Sequence, residues 1–287
     1  MKKLIFLLLG FSLTKTINTN LLPAKELQWK NDFLTEKPIC IIVPSYNNEK
    51  WYKGNLNSIF SQNYTNYRVI YINDCSSDNT SQLVKKYVSD SKQEKRFSLI
   101  DNAIRHRALY NLYRSIHSCQ DNEIVVILDG DDAFYHTNVL KTINRVYSEG
   151  NVWLTHGSYI DLASENKGSW CMAIPEEQIK NNNFRGWQHG PTHPRTFYSW
   201  LFKKVKLEDL LDSDGEFYKM TYDVAMMMPM LEIAGHRHAY IDEILYQYND
   251  ITELNDHKED NFRDGTHLQY KLNEIIRKKE KYKPLKD

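Results

Sequence analysis

A chain of 287 residues is long enough to bury a substantial core, as one large α/β domain or as one domain with an appendage. Lysines plus arginines equal aspartates plus glutamates at 37 each, so the basic footprint of a nucleic-acid binder is missing and nucleic acid is excluded as an expected partner. Tyrosine and tryptophan are plentiful, 19 and 6 residues; most are expected to pack, with some available to stack on sugars or bases.

Residues 1–20 form an N-terminal hydrophobic segment with a basic start, Met1-Lys-Lys, and a short apolar run that together resemble a secretory signal. The run is about half the length of a spanning helix, which needs about 20 apolar residues. Export or peripheral membrane contact is therefore expected, with a cytoplasmic location as the alternative. The four cysteines, Cys40, Cys75, Cys119 and Cys171, lack metal-ligand spacing and read as free thiols.

After a polar lead-in, Pro38 to Val43 reads as a buried strand that stops at the loop Pro44-Ser-Tyr-Asn-Asn48, with a helical pattern (Trp51, Leu56, Ile59, Phe60) behind it. Tyr67 to Ile72 repeats the plan and ends in Asn73-Asp-Cys-Ser-Ser-Asp-Asn-Thr80. The next helix carries Leu83, Val84, Tyr87 and Val88 on one face, with Asp78 or Thr80 placed to cap it. A short strand, Phe97 to Ile100, and a helix from Arg105 to His117 follow. The unbroken apolar run Ile124 to Leu128 is a strand buried on both faces, and it exits into Asp129-Gly-Asp-Asp132.

Four strand-helix units in a row predict a mostly parallel central sheet flanked by helices, with ligand-binding loops gathered at the carboxyl ends of the strands. Three acids in four residues at such an exit would repel one another unless a cation shared them. Oxygen ligands suit Mg²⁺ or Mn²⁺, and Mg²⁺ is usually held by one or two carboxylates together with substrate phosphates. A solvated turn ending in a helix cap is the plainer alternative for the same residues. Glycine-rich dinucleotide and Walker fingerprints are absent from the sequence, so the metal is left to handle the phosphates.

Beyond residue 150, Val152 to Tyr159 reads as a strand and Asn181 to Gly190 as a long aperiodic loop suited to a substrate. Thr221 to Gly235 reads as a helix with Val224, Met228 and Leu231 inward and Pro229 bending it. A strand at His236 to Ile241, a strand-and-loop at Ile244 to Asn249, an amphipathic helix with Leu268, Leu272 and Ile276, and a solvated basic tail complete the chain.

The combination Ile-Val-Pro-Ser-Tyr-Asn, Ile-Asn-Asp-Cys-Ser-Ser-Asp-Asn-Thr and Ile-Leu-Asp-Gly-Asp-Asp resembles family 2 glycosyltransferases, which have the type A nucleotide-sugar-binding fold. The resemblance covers about residues 38–250. It implies a nucleotide-sugar-binding half at 38–135, an acceptor-binding half at 150–250, and a C-terminal helix and basic tail at 251–287. It further implies an inverting, metal-dependent transfer from a nucleoside diphosphate sugar, UDP-linked by expectation, to a hydroxyl of a glycan, lipid or protein acceptor. By it, Pro44, Ser45, Tyr46 and Asn47 line the nucleotide pocket, Asp74 contacts the base, Asp129 meets the ribose with Gly130 beside it, and Asp131 meets the metal. Asp129 and His257 are further candidate metal ligands. Arg107 occupies a position where the family commonly has glycine and is a candidate diphosphate contact. Trp187 is a candidate acceptor platform or a packing residue. Asp223 matches the acid that serves as catalytic base, although Tyr222 stands where the family usually has a second acid; helix capping is its other available role. A glycoside hydrolase and an inactive sugar- or nucleotide-binding protein are the alternative readings.

Overall fold

The computed structural model describes residues 34–254 and 267–286, and those from Thr35 onward belong to one compact unit. Strand β1 (Ile39–Ser45) is buried along its whole length, and helix α1 (Tyr52–Phe60) buries Leu56 and Ile59 against the sheet. Strand β2 (Tyr67–Asn73) is followed by α2 (Thr80–Asp90), then β3 (Phe97–Asp101) and α3 (Arg107–His117). Asp78 accepts from the Thr80 amide at 3.0 Å, which secures the entry to α2 as the sequence suggested.

The apolar run beyond Glu123 becomes β4 (Ile124–Ile127), and the acidic loop leads into a two-residue strand, β5 (Ala133–Phe134), and α4 (Val139–Glu149). Strand β6 (Leu154–Asp161), a short helix α5 (Glu176–Lys180), β7 (Arg195–Tyr198) and a single turn α6 (Ser199–Phe202) precede the buried helix α7 (Tyr222–Ala234). The expected strand and strand-and-loop after Gly235 are one continuous strand, β8 (His238–Tyr248); its register against β6 shifts at Gly157 to Tyr159, which breaks the period the sequence displays. Helix α8 (Leu268–Lys278) closes the fold, with Leu272 and Ile276 inward.

All eight strands form one sheet in the order β3-β2-β1-β4-β7-β6-β8-β5. It is parallel from β3 through β4; β7 then runs antiparallel to β4 and β6, β6 and β8 pair in parallel, and β5 is antiparallel at the far edge. Successive side chains of a strand point to opposite faces, so Ile39, Ile41, Val43, Val126 and Leu128 pack with α1, α2 and α4. Cys40, Ile42, Val125 and Ile127 pack on the other side with α3, α7 and α8. Each fully buried aliphatic of this kind contributes about 1.5–3 kcal/mol.

Helix α7 buries every residue from Val224 to Ala234, more than the three positions its sequence marks, because it lies between the sheet and the C-terminal segment. Gly235 ends it at φ +58°, a backbone region that glycine enters without strain, and its N–H closes on the Leu231 carbonyl. The tail expected to be solvated instead binds this helix: the Tyr282 amide donates to Glu232, and the Leu285 amide to the Ile233 carbonyl at 2.9 Å. Among the described residues no helix is long and apolar enough to cross a membrane.

Candidate active site

Because β1, β2 and β4 run parallel, their carboxyl ends bring the Pro44, Asp74 and Asp129 loops to one edge of the sheet, where they border a cleft of about 930 Å³. Pro44, Ser45, Tyr46, Asp74, Arg107, Asp129, Asp131 and Asp223 all line it, as the sequence reading expects. Asn47 and Gly130 are not among its lining residues. Asn47 stands at φ +52° and accepts from the Ser77 amide at 2.8 Å, tying the loop after β1 to the loop after β2. A Cβ on Gly130 would come within 2.6 Å of Asn48 Nδ2 and 2.7 Å of Ser45 Cβ, so the acidic loop lies on the first loop only with glycine there. His257 falls outside the described residues.

Asp74 has both oxygens engaged: Oδ1 accepts from Asn102 Nδ2 (2.8 Å) and the His106 amide (2.9 Å), and Oδ2 from the Arg107 amide (2.7 Å). Burial works to raise its pKa, but the Asn111 amide and these donors outweigh it and hold the carboxyl below the usual range. The same contacts set the start of α3 with Arg107 at φ +66°, a conformation that suits glycine, which gives a physical reason for glycine at such a site. Arg105 lies over the Tyr46 ring at 3.6 Å from its centroid.

The acidic loop is held from beneath, with Asn55 Nδ2 donating to the carbonyls of Asp129 (3.0 Å) and Asp132 (2.9 Å). Tyr222 Oη donates to both oxygens of Asp129 at 2.9 and 2.8 Å. Asp132 is fully enclosed and accepts from Tyr246 Oη (2.5 Å) and the Asn249 amide (2.7 Å). Burial pushes both carboxyls up; at Asp132 the charges of Asp131 and Asp129 add to it, while at Asp129 Tyr222 and Arg195 oppose it. The Tyr222 and Tyr246 hydroxyls are held protonated far above their ordinary range, first by burial and then by these carboxylates.

Asp129 and Asp132 converge with His193, their ligand atoms all within 4.8 Å of one another. Burial, then the Arg195 charge, drives the His193 pKa down, so the imidazole stays neutral, the form that ligates metals. A half-buried and a buried acid, Asp129 and Asp132, beside a neutral imidazole and the cleft-lining Asp131, form a donor set that fits a divalent cation. The sequence singled out Asp129, Asp131 and His257 and left open which of Asp129, Asp131 and Asp132 coordinates directly; His193 carried no spacing signal.

Asp223 lines the same cleft and does not cap α7, whose start has no side-chain capping bond and follows Thr221 at φ +58°. Its Oδ2 accepts from Arg195 Nη2 at 3.1 Å, and the side chain remains 30% exposed. Arg195 is buried and also donates to the Pro191 carbonyl (2.9 Å) and to the His193 ring (3.0 Å to Nε2). Sequence reasoning passed over Arg195, which reaches the site because antiparallel pairing sets it opposite Ile127, two residues before Asp129. Trp187 is 4% exposed in the core, which removes it as an acceptor platform. Helix α8, read from sequence as amphipathic with no role in the site, also lines the cleft through Tyr270, Asn273 and Arg277.

The chain is 28% identical over 134 residues to an uncharacterized glycosyltransferase of Rickettsia bellii, a match covering 47% of this chain and 18% of that protein. A 49-residue stretch, 16% of this chain and 9% of the relative, is 45% identical to the poly(ribitol-phosphate) beta-N-acetylglucosaminyltransferase TarS of Staphylococcus aureus. The chain thus spans less than a fifth of the length of either relative. A crystal structure of S. aureus TarS with UDP-GlcNAc superposes with a TM-score of 0.58 at 17% identity, over 83% of this chain and 65% of that one. The mannosyltransferase PcManGT of Pyrobaculum calidifontis, in complex with GDP-Man and Mn²⁺, does so with a TM-score of 0.53 at 15% identity, over 80% and 65%. The fold they share is the type A glycosyltransferase fold. The model of the family described as "Glycosyl transferase family 2" matches residues 40–211, more than half of the chain, and the protein belongs to that family.

Proposed function

We propose that this protein transfers a sugar, with inversion, from a nucleoside diphosphate sugar to an acceptor hydroxyl, with help from a divalent cation. The observation that carries the reading is the juxtaposition in one cleft of the clustered Asp129, Asp131 and Asp132 with His193, and of Asp223 held by Arg195, which also donates to the His193 ring. At about 930 Å³ the cleft lies near the top of the ~300–1,000 Å³ span of small-molecule sites, room for a donor and part of an acceptor. The family assignment supports the same chemistry, and the UDP-GlcNAc held by the TarS neighbour favours a uridine diphosphate donor.

In this reading Pro44, Ser45 and Tyr46 enclose the nucleotide, Asp74 faces the base and Arg107 the diphosphate. Asp129 meets the ribose, and Asp131 with Asp129 holds the cation, backed by Asp132 and His193. A cation held there would supply positive charge to the departing diphosphate, worth several kcal/mol in comparable sites. Asp223 takes the proton from the acceptor hydroxyl as it attacks the anomeric carbon; Arg195 fixes the carboxylate in place for that attack. Inversion needs a single displacement and no protein nucleophile. The basic and apolar start of the chain adds export to the proposal, which cell fractionation tests.

Asp131→Asn is the decisive substitution, because a neutral amide holds a divalent ion poorly against water. Calorimetric titration of UDP with and without Mn²⁺ should show metal-linked affinity in the wild type and none in the variant, with melting little changed. Unchanged Mn²⁺-linked affinity in the variant sinks the reading.

A further inference from the structure

The wall of the cleft beside Asp223 has a chemistry of its own. Trp170 and Tyr270 line the cleft and are 53% and 63% exposed; among the described aromatic residues only Tyr135 is exposed besides. They belong to one connected wall. Tyr270, Asn273 and Arg277 recur three and four residues apart and so share a face of α8. Arg277 Nη1 donates to the carbonyls of Arg185 (3.0 Å) and Trp187 (2.6 Å), and its Nη2 to that of His189 (3.0 Å). The His189 ring in turn meets Trp170 edge-on, with centroids 5.4 Å apart.

The charges near this wall are already committed. Arg277 is spent on three carbonyls and Arg195 on Asp223, His193 and the Pro191 carbonyl, whereas Arg105 and Arg107 stand at the Tyr46 and Asp74 end. Among the described lining residues there is no lysine; beside Arg277, the polar groups that line the cleft along the Trp170 and Tyr270 segments are the Ser169 hydroxyl, the amides of Gln188, Gln269 and Asn273, and the His267 imidazole. Phosphate-rich acceptors call for uncommitted cations. Exposed rings with neutral amides suit the apolar faces and hydroxyls of pyranose sugars.

Resting on the transferase reading, we propose that the acceptor is a neutral oligosaccharide whose sugar rings stack on Trp170 and Tyr270, with its reactive hydroxyl presented to Asp223. The test uses the full chain with Mn²⁺ and UDP, and saturation-transfer NMR against two sets of probes: neutral di- to tetrasaccharides of hexoses and N-acetylhexosamines, and ribitol phosphate oligomers. At least one neutral oligosaccharide should bind, and Trp170→Ala and Tyr270→Ala should each weaken it about tenfold while UDP affinity holds. Both rings are exposed, so the variants should melt with the wild type. Binding of ribitol phosphate alone, no oligosaccharide binding, or binding indifferent to both substitutions overturns the inference. Failure of the underlying transferase reading looks different: the wild type would then bind neither UDP nor UDP-sugars with Mn²⁺.

Discussion

Asp223 stands where a carboxylate can hold Arg195 or take a proton, and the two roles separate on substitution. Asp223→Asn keeps an acceptor for Arg195 and removes the basic oxygen. Donor affinity and melting temperature should stay near wild type, within about 1–2 kcal/mol of stability, while single-turnover transfer falls about 10²–10⁴-fold. Near-normal transfer would leave Asp223 as a partner of Arg195 and nothing more. Arg107 separates stability from function in the opposite sense. At φ +66° it holds a conformation that costs a side-chain-bearing residue roughly 1–2 kcal/mol. Arg107→Gly should therefore raise stability by about 1 kcal/mol in urea unfolding, and it should weaken UDP binding if the guanidinium meets the diphosphate. A destabilised variant with unchanged UDP affinity contradicts both halves. Apart from Arg107 and Asp223, the cleft residues legible in the sequence are those within contiguous motifs at strand exits: Pro44 to Tyr46, Asp74, and Asp129 to Asp132. Arg195 and His193 were not, since only the antiparallel pairing of β7 with β4 brings them there.

At the scale of elements, the parallel half of the sheet was legible because each strand is a short apolar run followed by a polar loop and an amphipathic helix. The far half was less so. The shifted pairing of β6 with β8 and the full burial of α7 depend on contacts distant in sequence. One such contact is the ion pair of Arg185 with Glu232, 2.7 Å apart and almost wholly buried, with Arg185 Nη1 also donating to the Ile276 carbonyl at 2.5 Å. Glu232 accepts the Tyr282 amide besides, so one carboxylate on α7 joins the 184–186 turn and the C-terminal tail. Glu232→Ala leaves a guanidinium enclosed without its counter-charge, which typically costs about 3–5 kcal/mol. A fall in stability of that size by chemical unfolding is the expected outcome, with increased hydrogen exchange in residues 184–190 and 279–286. A loss below about 1 kcal/mol would mean the pair is not the link between these segments.

For the whole molecule, the balance of acids and bases hides an acid-sensitive centre. His156 on β6 is buried among Trp187, Tyr240 and His238, and among the described residues neither ring nitrogen has a hydrogen-bond partner. Burial, then the charges of His238 and Arg195, lowers its pKa from 6.5 to about 3. The folded state thus keeps the ring neutral at a pH where the unfolded chain protonates it. The unfolded state binds the extra proton, so stability is lost as pH falls from about 6.5 towards 3 and is present above that window. From pH 7 to pH 5 this one residue should remove about 2 kcal/mol. His156→Leu deletes a proton site and two unpaired nitrogens while retaining apolar volume, so it should be at least as stable as the wild type at pH 7 and lose about 2 kcal/mol less on going to pH 5. Urea unfolding of both proteins at the two pH values measures the difference directly. Equal pH sensitivity in wild type and variant would show that His156 is not neutral in the folded core, and acid sensitivity would then rest with the ion pairs and with His193.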